Sequence, residues 1–321
     1  MTRCIKKGGI ELILTVTLNP SIDRRYDVIG FEKGKIFRTK DYQYTPGGKG
    51  LNVTRVIKAF NEPVIATGFL GGRSGGFIEE KLDIMGIKHR FVPINGETRS
   101  CLAIISDDGS QTEILEGGPS ISGEETVKFY ELYRELIKDV CIVCGSGSLP
   151  HGIPSETYRN LIVMAKEEGK KFILDTSGEA LKEGIKASPF LIKPNKEELE
   201  NLMGYKIESS RDIIQSGKYL LENDIEIVII SLGKEGAMVF NDGYLYKIKV
   251  PEVKVINPVG SGDSMIGGFA ASLLRDYDFE FILKVAAACG TANAMESETG
   301  KVDMNNMKKV LNEITIEKIR L

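Results

Sequence analysis

The segment best suited to chemistry is a glycine-rich turn at residues 257–264, which reads Asn-Pro-Val-Gly-Ser-Gly-Asp-Ser. Apolar residues follow it at the i, i+3, i+4 and i+7 spacing of a helix face, and these are Ile266, Phe269, Ala270 and Leu273. The glycines and the proline end a strand-like run at 253–256. The pattern therefore predicts a strand, a tight turn and a helix that starts at this turn.

A helix that starts at such a turn presents unpaired backbone N–H groups and the positive end of its dipole. Because glycines let an anion approach these groups closely, the turn can bind a phosphate or an oxyanion. Asp263 is the unusual member, since a carboxylate repels a phosphate. It either accepts a proton from an attacking hydroxyl while the amides hold the developing charge, or it only caps the helix. The turn alone favours neither interpretation.

A second glycine-rich turn, at residues 46–52, surrounds Lys49 with Gly47, Gly48 and Gly50 and also precedes a helix with an apolar face. It offers an anion backbone amides and an ammonium group together. It is not a Walker A motif, because G-x-x-x-x-G-K-[ST] is absent from the chain. A flexible loop with a solvated lysine is the alternative, but it explains three crowded glycines less well.

Three further segments place polar residues just past predicted strands. Asp23 follows a buried strand, where open α/β sheets hold their ligands, although a solvated turn aspartate is the alternative. Residues 193–198 end another strand, and Asn195 and Glu198 share one helical face there. This pair suits a hydrated magnesium ion or, equally, an ordinary helix start with acidic residues. Residues 231–236 follow a third strand, and their glycines would admit a phosphate to the backbone.

Composition limits the class of protein. The chain has 321 residues, of which 42% are hydrophobic, so it can bury a sizeable core. A net charge of -3 gives no electrostatic case for nucleic acid or an anionic membrane as the main partner. No apolar run reaches the length of a membrane span, and residues 1–9 lack the apolar core of a signal peptide. Five cysteines, an odd number, predict a reducing cytoplasm rather than a disulfide framework.

Alternating helical and strand patterns predict an α/β fold with a mostly parallel central sheet and helices on both faces. We expect one domain over residues 11–316. The predicted strands are 12–18, 64–70, 140–144, 171–175, 190–193 and 226–231. The main predicted helices are 123–138, 155–168, 195–203, 210–222, 265–274, 279–296 and 303–313.

Two segments depart from this alternation, at about 24–45 and 90–118, and predict short half-exposed strands. Asp-Asp-Gly-Ser at 107–110 is a hairpin signal. We expect the two segments to pair into one small β-sheet, called the lid below. Arg99 on this lid would either reach an anionic substrate or lie on the surface. Exposed apolar residues on the lid would be awkward for a monomer and predict a homodimer that packs lid on lid, and they are Tyr26, Val28, Phe31, Phe37, Tyr42 and Tyr44.

Taken in their order along the chain, these motifs resemble those of the ribokinase-like (PfkB-type) carbohydrate kinases over nearly the whole chain. Residues 47–52 resemble the N-terminal signature of that family, and residues 257–264 resemble its C-terminal signature. Asn195-x-x-Glu198 resembles its magnesium-associated motif. The resemblance implies an enzyme that uses ATP and Mg²⁺ and closes its lid over a sugar.

The resemblance also implies a role for each matching residue. Asp263 would be the catalytic base, in an anion hole made by the amides of Gly260, Ser261 and Gly262. The sugar hydroxyls would be bound near Gly47 and Gly48 by Asp23 and Asn52. The phosphate already on the substrate would be held by Lys49 and Arg99. The ATP site would be lined by Lys193, Ser231, Gly233 and Gly236, with Asn293 near the adenine. Magnesium would be organised, through water, by Asn195 and Glu198.

The Gly-Gly-Lys-Gly form, with residues 17–23 and 146–150, resembles the phosphosugar branch, which includes tagatose-6-phosphate kinase and 1-phosphofructokinase. Residues 257–264 and 292–300 are more similar to the tagatose-6-phosphate enzymes. The resemblance thus implies conversion of a ketohexose monophosphate to a 1,6-bisphosphate, with 1-phosphofructokinase as the alternative. His151 departs from the branch, where a lysine or arginine is commoner, so its role in the substrate loop stays open.

Two other classes remain as alternatives. A kinase of a neutral sugar would not need Lys49 and Arg99 as phosphate ligands. A non-catalytic sugar-phosphate sensor would be expected to lack the base, whereas Asp263 is present.

Overall fold

Buried strands alternate with amphipathic helices throughout the computed structural model, which describes residues 12–321. The prediction for residues 1–9 and the predicted domain start at residue 11 lie outside the described residues. The strands are β1 Ile13–Thr17, β2 Ser21–Val28, β3 Tyr42–Gly47, β4 Val64–Gly71, β5 Lys88–Ile94, β6 Arg99–Ser106, β7 Gln111–Leu115, β8 Ile142–Ser146, β9 Lys171–Asp175, β10 Leu191–Ile192, β11 Ile227–Ser231, β12 Ala237–Asn241, β13 Tyr244–Lys249 and β14 Thr315–Arg320.

Ten of these strands form one central sheet in the order β14-β13-β12-β11-β10-β9-β8-β1-β4-β5. The neighbours from β11 to β5 are all parallel, whereas β12, β13 and β14 are antiparallel to their neighbours. Because the parallel strands point the same way, their carboxyl ends meet at one edge of the sheet, where such sheets bind ligands.

Helices cover both faces of this sheet, as predicted. They are α1 Lys49–Ala59, α2 Gly72–Ile84, α3 Gly123–Leu136, α4 Thr157–Glu167, α5 Gly178–Ile185, α6 Lys196–Met203, α7 Ser210–Leu221, α8 Ser261–Leu274, α9 Phe279–Ala294 and α10 Met304–Glu313. Apolar residues of α1, α8, α9 and α10 pack into one core, and those of α3 to α7 pack into another. The predicted α/β fold is confirmed. No helix within residues 12–321 is both long and apolar enough to cross a membrane.

The lid is a four-stranded sheet in the order β3-β2-β6-β7. β2 is antiparallel to β3 and parallel to β6, and β6 and β7 form the hairpin expected at 107–110. Two expectations were wrong in detail. Residues 90–94 belong to β5 in the central sheet, because they pair with β4. Phe31 and Phe37 lie in the connection between β2 and β3 and not on a strand.

The far edge of the central sheet also differs from the prediction. β12 and β13 form a hairpin beside β11, and β14 carries the sheet to Arg320, beyond the predicted end at 316. The dipeptide Asp242-Gly243 is a local sequence signal for this hairpin, and both residues have the positive φ that its turn requires. In contrast, residues 253–256 form no strand, although their composition resembles one.

Candidate active site

A cavity of about 1050 Å³ lies at the carboxyl ends of the parallel strands and extends beneath the lid. Residues at or just past the ends of β1, β8, β10 and β11 line it, and they include Asn19, Ser148, Lys193 and Ser231. The lid contributes residues two apart on its strands, which share one face, and these include Asp23, Arg25, Gln43, Thr45, Cys101 and Ala103. The cavity therefore has walls from both sheets.

The glycine-rich turn leads directly into α8, which begins at Ser261 and not at residue 265. Gly260 precedes it in the left-handed conformation, with φ of 82°, and a Cβ there would lie 2.8 Å from the backbone nitrogen of Gly300. A side chain at this position would thus be both strained and obstructed. The amide of Ser261 donates to the carbonyl of Pro258 at 3.3 Å. The first-turn amides of Gly262 and Asp263 face no intrahelical acceptor.

Asp263 is buried at the start of α8, and its Oδ2 accepts a hydrogen bond of 2.8 Å from Nδ2 of Asn52. Burial raises the pKa of the Asp263 carboxyl to about 6, because desolvation disfavours its charged form. Asp175 adds to this effect, whereas Lys49, Asn52 and Lys193 oppose it. A buried carboxylate with a pKa near neutrality suits a general base.

Asp175, at the carboxyl end of β9, is a central residue that the sequence analysis missed. It is 1% exposed, and its Oδ1 lies 3.4 Å from Nζ of Lys49 and 3.5 Å from Nζ of Lys193. Burial opposes ionisation of Asp175, but the two lysines outweigh it and lower the pKa of this carboxyl. Its position past a buried parallel strand was the available signal, the same one that drew attention to Asp23.

Lys49 lies beside the carboxylates of this cluster. Its Nζ is 3.6 Å from Oε1 of Glu198, and the charge of Asp175 is the main cause that raises the pKa of the ammonium. Arg99 instead donates to the backbone carbonyls of Asn19 and Glu116 at 2.9 to 3.2 Å. Both cations line the cavity, but their hydrogen-bonding partners differ.

Asp23 faces the cavity from the start of β2. Its Oδ1 accepts a hydrogen bond of 2.7 Å from Ser21, and burial raises the pKa of the carboxyl. Gly47 packs directly against it, because a Cβ on Gly47 would lie 2.0 Å from Cγ of Asp23. Gly48, with φ of 96°, reaches the cavity surface. The second glycine-rich turn thus leaves room for this carboxylate.

The predicted motif at residues 146–150 comprises the last residue of β8 and the loop that follows it. Ser148 accepts a hydrogen bond from Nδ2 of Asn19 at 3.2 Å and lines the cavity. His151 is exposed and pairs by backbone with Ser120, beside Gly117. It does not line the cavity.

The opposite end of the cavity is lined by Lys193, Ser231, Gly233 and Gly236, the residues that the resemblance assigns to an ATP site. Here the walls also include apolar residues that the sequence analysis did not propose, and these are Ala237, Val250, Val253, Val255, Ala287 and Ala294. Val253 and Val255, in the segment predicted as strand-like, instead contribute to this apolar wall. Gly262, at the start of α8, lies close to this end of the cavity, since a Cβ there would lie 2.8 Å from Nζ of Lys193.

Asn293 was expected near the adenine, but the structure does not place it in the cavity. It is completely buried, and its side chain bonds to the carbonyl of Val259 and to the amide of Gly300, both at 2.8 Å. Its Oδ1 also accepts from Ser264 at 3.1 Å. Asn293 therefore ties α9 to the glycine-rich turn, because all its polar atoms are used within the protein.

Asn195 and Glu198 form a capping box at the start of α6. Oδ1 of Asn195 accepts from the Glu198 amide at 2.8 Å, and Oε2 of Glu198 accepts from the Asn195 amide at 2.9 Å. No group of three or more His, Cys, Asp or Glu side chains within residues 12–321 could hold a bare metal ion. A hydrated ion fits better, since Oδ2 of Asp175 is buried without a partner and Oε1 of Glu198, beside Lys49, is not used by the capping box.

Comparison with known proteins identifies the family of this chain. The model of the pfkB family carbohydrate kinases matches residues 16–305. Tagatose-6-phosphate kinase from Staphylococcus epidermidis is 42% identical over 308 residues, which cover 95% of this chain and 99% of that protein.

Solved structures of similar proteins share the fold. One is described as a "Possible 1-phosphofructokinase" from Thermotoga maritima, with 25% identity and a TM-score of 0.90 over 97% of this chain and 100% of that one. Another is the tetrameric inhibited form of phosphofructokinase-2 from Escherichia coli, with 25% identity and a TM-score of 0.86 over 95% and 99%. With its two glycine-rich turns and buried carboxylate, the chain belongs to the pfkB family of carbohydrate kinases.

Proposed function

We propose that this protein transfers the γ-phosphoryl group of ATP to a hydroxyl of a ketohexose monophosphate, forming the 1,6-bisphosphate, and that tagatose 6-phosphate is its preferred substrate. The position of Asp263 carries the proposal. This carboxylate accepts a hydrogen bond from Asn52, toward the lid. It also lies beside Gly262, which approaches Lys193 at the proposed nucleotide end of the cavity. Similarity to tagatose-6-phosphate kinase supports the choice of sugar.

Phosphorylation of fructose 1-phosphate is the second candidate. It yields a bisphosphate of the same kind, and a structural neighbour described as a possible 1-phosphofructokinase favours it. The two reactions differ in which terminal hydroxyl of the ketohexose lies beside Asp263.

In the proposed mechanism, ionised Asp263 accepts the proton of the attacking hydroxyl. The hydroxyl oxygen forms a bond to the γ-phosphorus as the bond to the β–γ bridging oxygen breaks, and ADP leaves. The amides at the start of α8, those of Gly262 and Asp263 above all, would stabilise the charge on the transferred group. Lys193 lies against Gly262 and would neutralise part of the phosphate charge.

We propose that Asp23 and Asn52 bind sugar hydroxyls, with Gly47 and Gly48 leaving room for the ring. For the phosphate already on the sugar, Arg99 is the better placed of the two proposed cations, since Lys49 already faces two carboxylates. The guanidinium of Arg99 is held by backbone carbonyls and would be oriented before substrate arrives.

The nucleotide would lie along Ser231, Gly233 and Gly236, with its base against the apolar wall that includes Val250 and Ala287. Magnesium would be held through water by Asn195 and Glu198, which both line the cavity, and the unpartnered oxygen of Asp175 would add a further acceptor. It would neutralise the phosphates of ATP and help to orient them.

The experiment is ADP release with magnesium-ATP and each of tagatose 6-phosphate, fructose 1-phosphate, fructose 6-phosphate and fructose. We expect the highest kcat/KM with tagatose 6-phosphate. Asp263→Asn should lower kcat by roughly 10²–10⁴-fold while ATP still binds. Asp83→Asn, at an exposed carboxylate beside His89, is the matched control and should leave kcat unchanged. Activity on fructose alone would refute the phosphosugar assignment, and full activity of Asp263→Asn would remove Asp263 as the base.

We also propose a homodimer formed by the outer face of the lid, in a cytoplasmic enzyme. Tyr26, Tyr42 and Tyr44 cluster on the face that does not line the cavity, with ring centroids 5.4 to 6.3 Å apart. Tyr42 is 59% exposed and Ile114, on β7, is 57% exposed. Packing this face against a second copy would remove an exposed apolar patch from water.

A further inference from the structure

Arg55, on α1, is a buried cation that does not line the cavity and has no role in the mechanism above. Its side chain is 7% exposed, and its Nη1 lies 2.6 Å from Oε1 of Glu298, in the 296–300 loop. Its Nη2 donates to Oδ1 of Asn52 at 2.7 Å and to the carbonyl of Thr299. Because a buried charge is costly, partners on both terminal nitrogens of Arg55 indicate a specific purpose.

The bond from Arg55 decides which way the Asn52 amide faces. With Oδ1 of Asn52 held by the guanidinium, its Nδ2 is directed at Oδ2 of Asp263, 2.8 Å away. If the amide turned over, its oxygen would face the carboxylate and its nitrogen would face the guanidinium, and both contacts would be unfavourable. Gly300 keeps the loop tight against this side chain, since a Cβ there would lie 2.7 Å from Cβ of Asn52.

The lid reaches the same group of residues. Gln43, on β3, donates from Nε2 to Oε2 of Glu298 at 3.1 Å, so one carboxylate joins the lid to Arg55. Arg25, on β2, donates to the carbonyl of Ser297 in the same loop. The hydrogen bonds therefore run without interruption from the lid through Glu298, Arg55 and Asn52 to Asp263.

We propose that Arg55 is a positioning residue, which orients Asn52 toward the catalytic base, and that Gln43 links this arrangement to the lid through Glu298. The proposal rests on the proposed function, in which Asp263 is the base. Arg55 contacts neither substrate, and it affects the reaction by orienting Asn52.

A double-mutant cycle on ADP release, with the full chain and its best sugar substrate, tests this. Arg55→Met should lower kcat about tenfold, the effect of one hydrogen bond to a charged group, with KM for ATP nearly unchanged. In the Asn52→Ala background, Arg55→Met should have almost no further effect, because its target is gone. Arg275→Met is the matched control: it also removes a cation paired at 2.6 Å with a glutamate, Glu62, and should change kcat little in either background.

Two further variants test the proposal if Arg55→Met does not fold. Glu298→Gln keeps the shape of the side chain and should also lower kcat. In the Asn52→Ala background, Glu298→Gln should have no further effect on kcat. Gln43→Ala should lower kcat without altering KM for ATP, and an unchanged kcat would remove the link to the lid. If Arg55→Met and Glu298→Gln cost the same factor in both backgrounds, the positioning role is refuted.

Thermal unfolding near pH 8 tests the role of Arg55 without any substrate. Without Arg55 to orient Asn52, the ionised Asp263 loses its hydrogen bond, so Asp263→Asn should raise the Tm more in the Arg55→Met or Glu298→Gln background than in the wild type. Equal effects in all backgrounds would overturn the proposal even if the wild type phosphorylated none of the sugars. An inactive wild type alone would refute the proposed function and not the role of Arg55.

Discussion

Replacing the Asp263 carboxylate, the proposed catalytic base, should make this protein more stable above neutral pH. Burial raises the pKa of Asp263 from an ordinary value of 3.8 to about 6. The folded protein therefore binds the proton more tightly than the unfolded chain does. Its stability is full below the unfolded pKa and is lost as pH rises through the folded one. Near pH 8 the loss amounts to about two pKa units, or about 3 kcal/mol.

Asp263→Asn removes this loss, because an amide of the same shape carries no charge and its oxygen can still accept from Asn52. We expect the free energy of unfolding to rise by about 3 kcal/mol near pH 8 and by about 1 kcal/mol near pH 4.5. For a protein of this size the first value corresponds to a Tm higher by about 5 °C. Thermal unfolding of both proteins across this pH range measures the difference.

Asp175→Asn is the contrasting control within the same site. The pKa of Asp175 is lowered by Lys193 and Lys49, so its contribution to stability is present above the unfolded pKa and is lost on acidification. Asp175→Asn should therefore lower the Tm near pH 8, with a smaller effect at acid pH. If Asp263→Asn had a Tm near pH 8 equal to or below that of the wild type, the reasoning from desolvation would be wrong.

Further predictions concern activity, assembly and folding. Activity should require ionised Asp263, so kcat/KM should fall below about pH 6, and a profile flat to pH 5 would contradict this. Lys49→Met should move this acid limb to higher pH because Lys49 lowers the pKa of Asp263, whereas Lys58→Met, on the same helix, should not. Ile114→Asp should yield a monomer by light scattering, and a retained dimer would exclude the outer face of the lid as the interface. Ser122→Ala removes the capping-box hydroxyl of α3 and should cost about 1 kcal/mol of stability with unchanged kcat.

Local patterns predicted the elements that carry most of the site. The helix face at Ile266 and Phe269 predicted α8, and glycines at 260 and 262 predicted the tight approach in front of it, because both depend on neighbours a few residues apart. The carboxyl ends of parallel strands then placed Asp23, Lys193 and Ser231 at one edge of the sheet. These positions follow from strand direction, which the alternation of helices and strands already implies.

Contacts between distant parts of the chain were beyond local patterns. Val253 and Val255 are β-branched and apolar, yet they lie outside any strand and line the cavity. β14 joins the sheet through the edge that β13 leaves unpaired. Asn293 was expected in the nucleotide site, but Gly300 and Val259 use its polar atoms. Whether a polar group faces a ligand or the protein depends on which segments pack against it.

The sequence by itself determined the α/β fold, the two glycine-rich turns and the presence of a carboxylate at the start of α8. Only the tertiary structure decided that Asp263 and Asp175 are both buried, one with a raised pKa and the other with a lowered one. The physical reason is that secondary structure and turn geometry follow from short-range interactions. A pKa follows instead from burial and from charges brought close by folding, such as Lys49 and Lys193, which lie 126 and 18 residues from Asp175 along the chain.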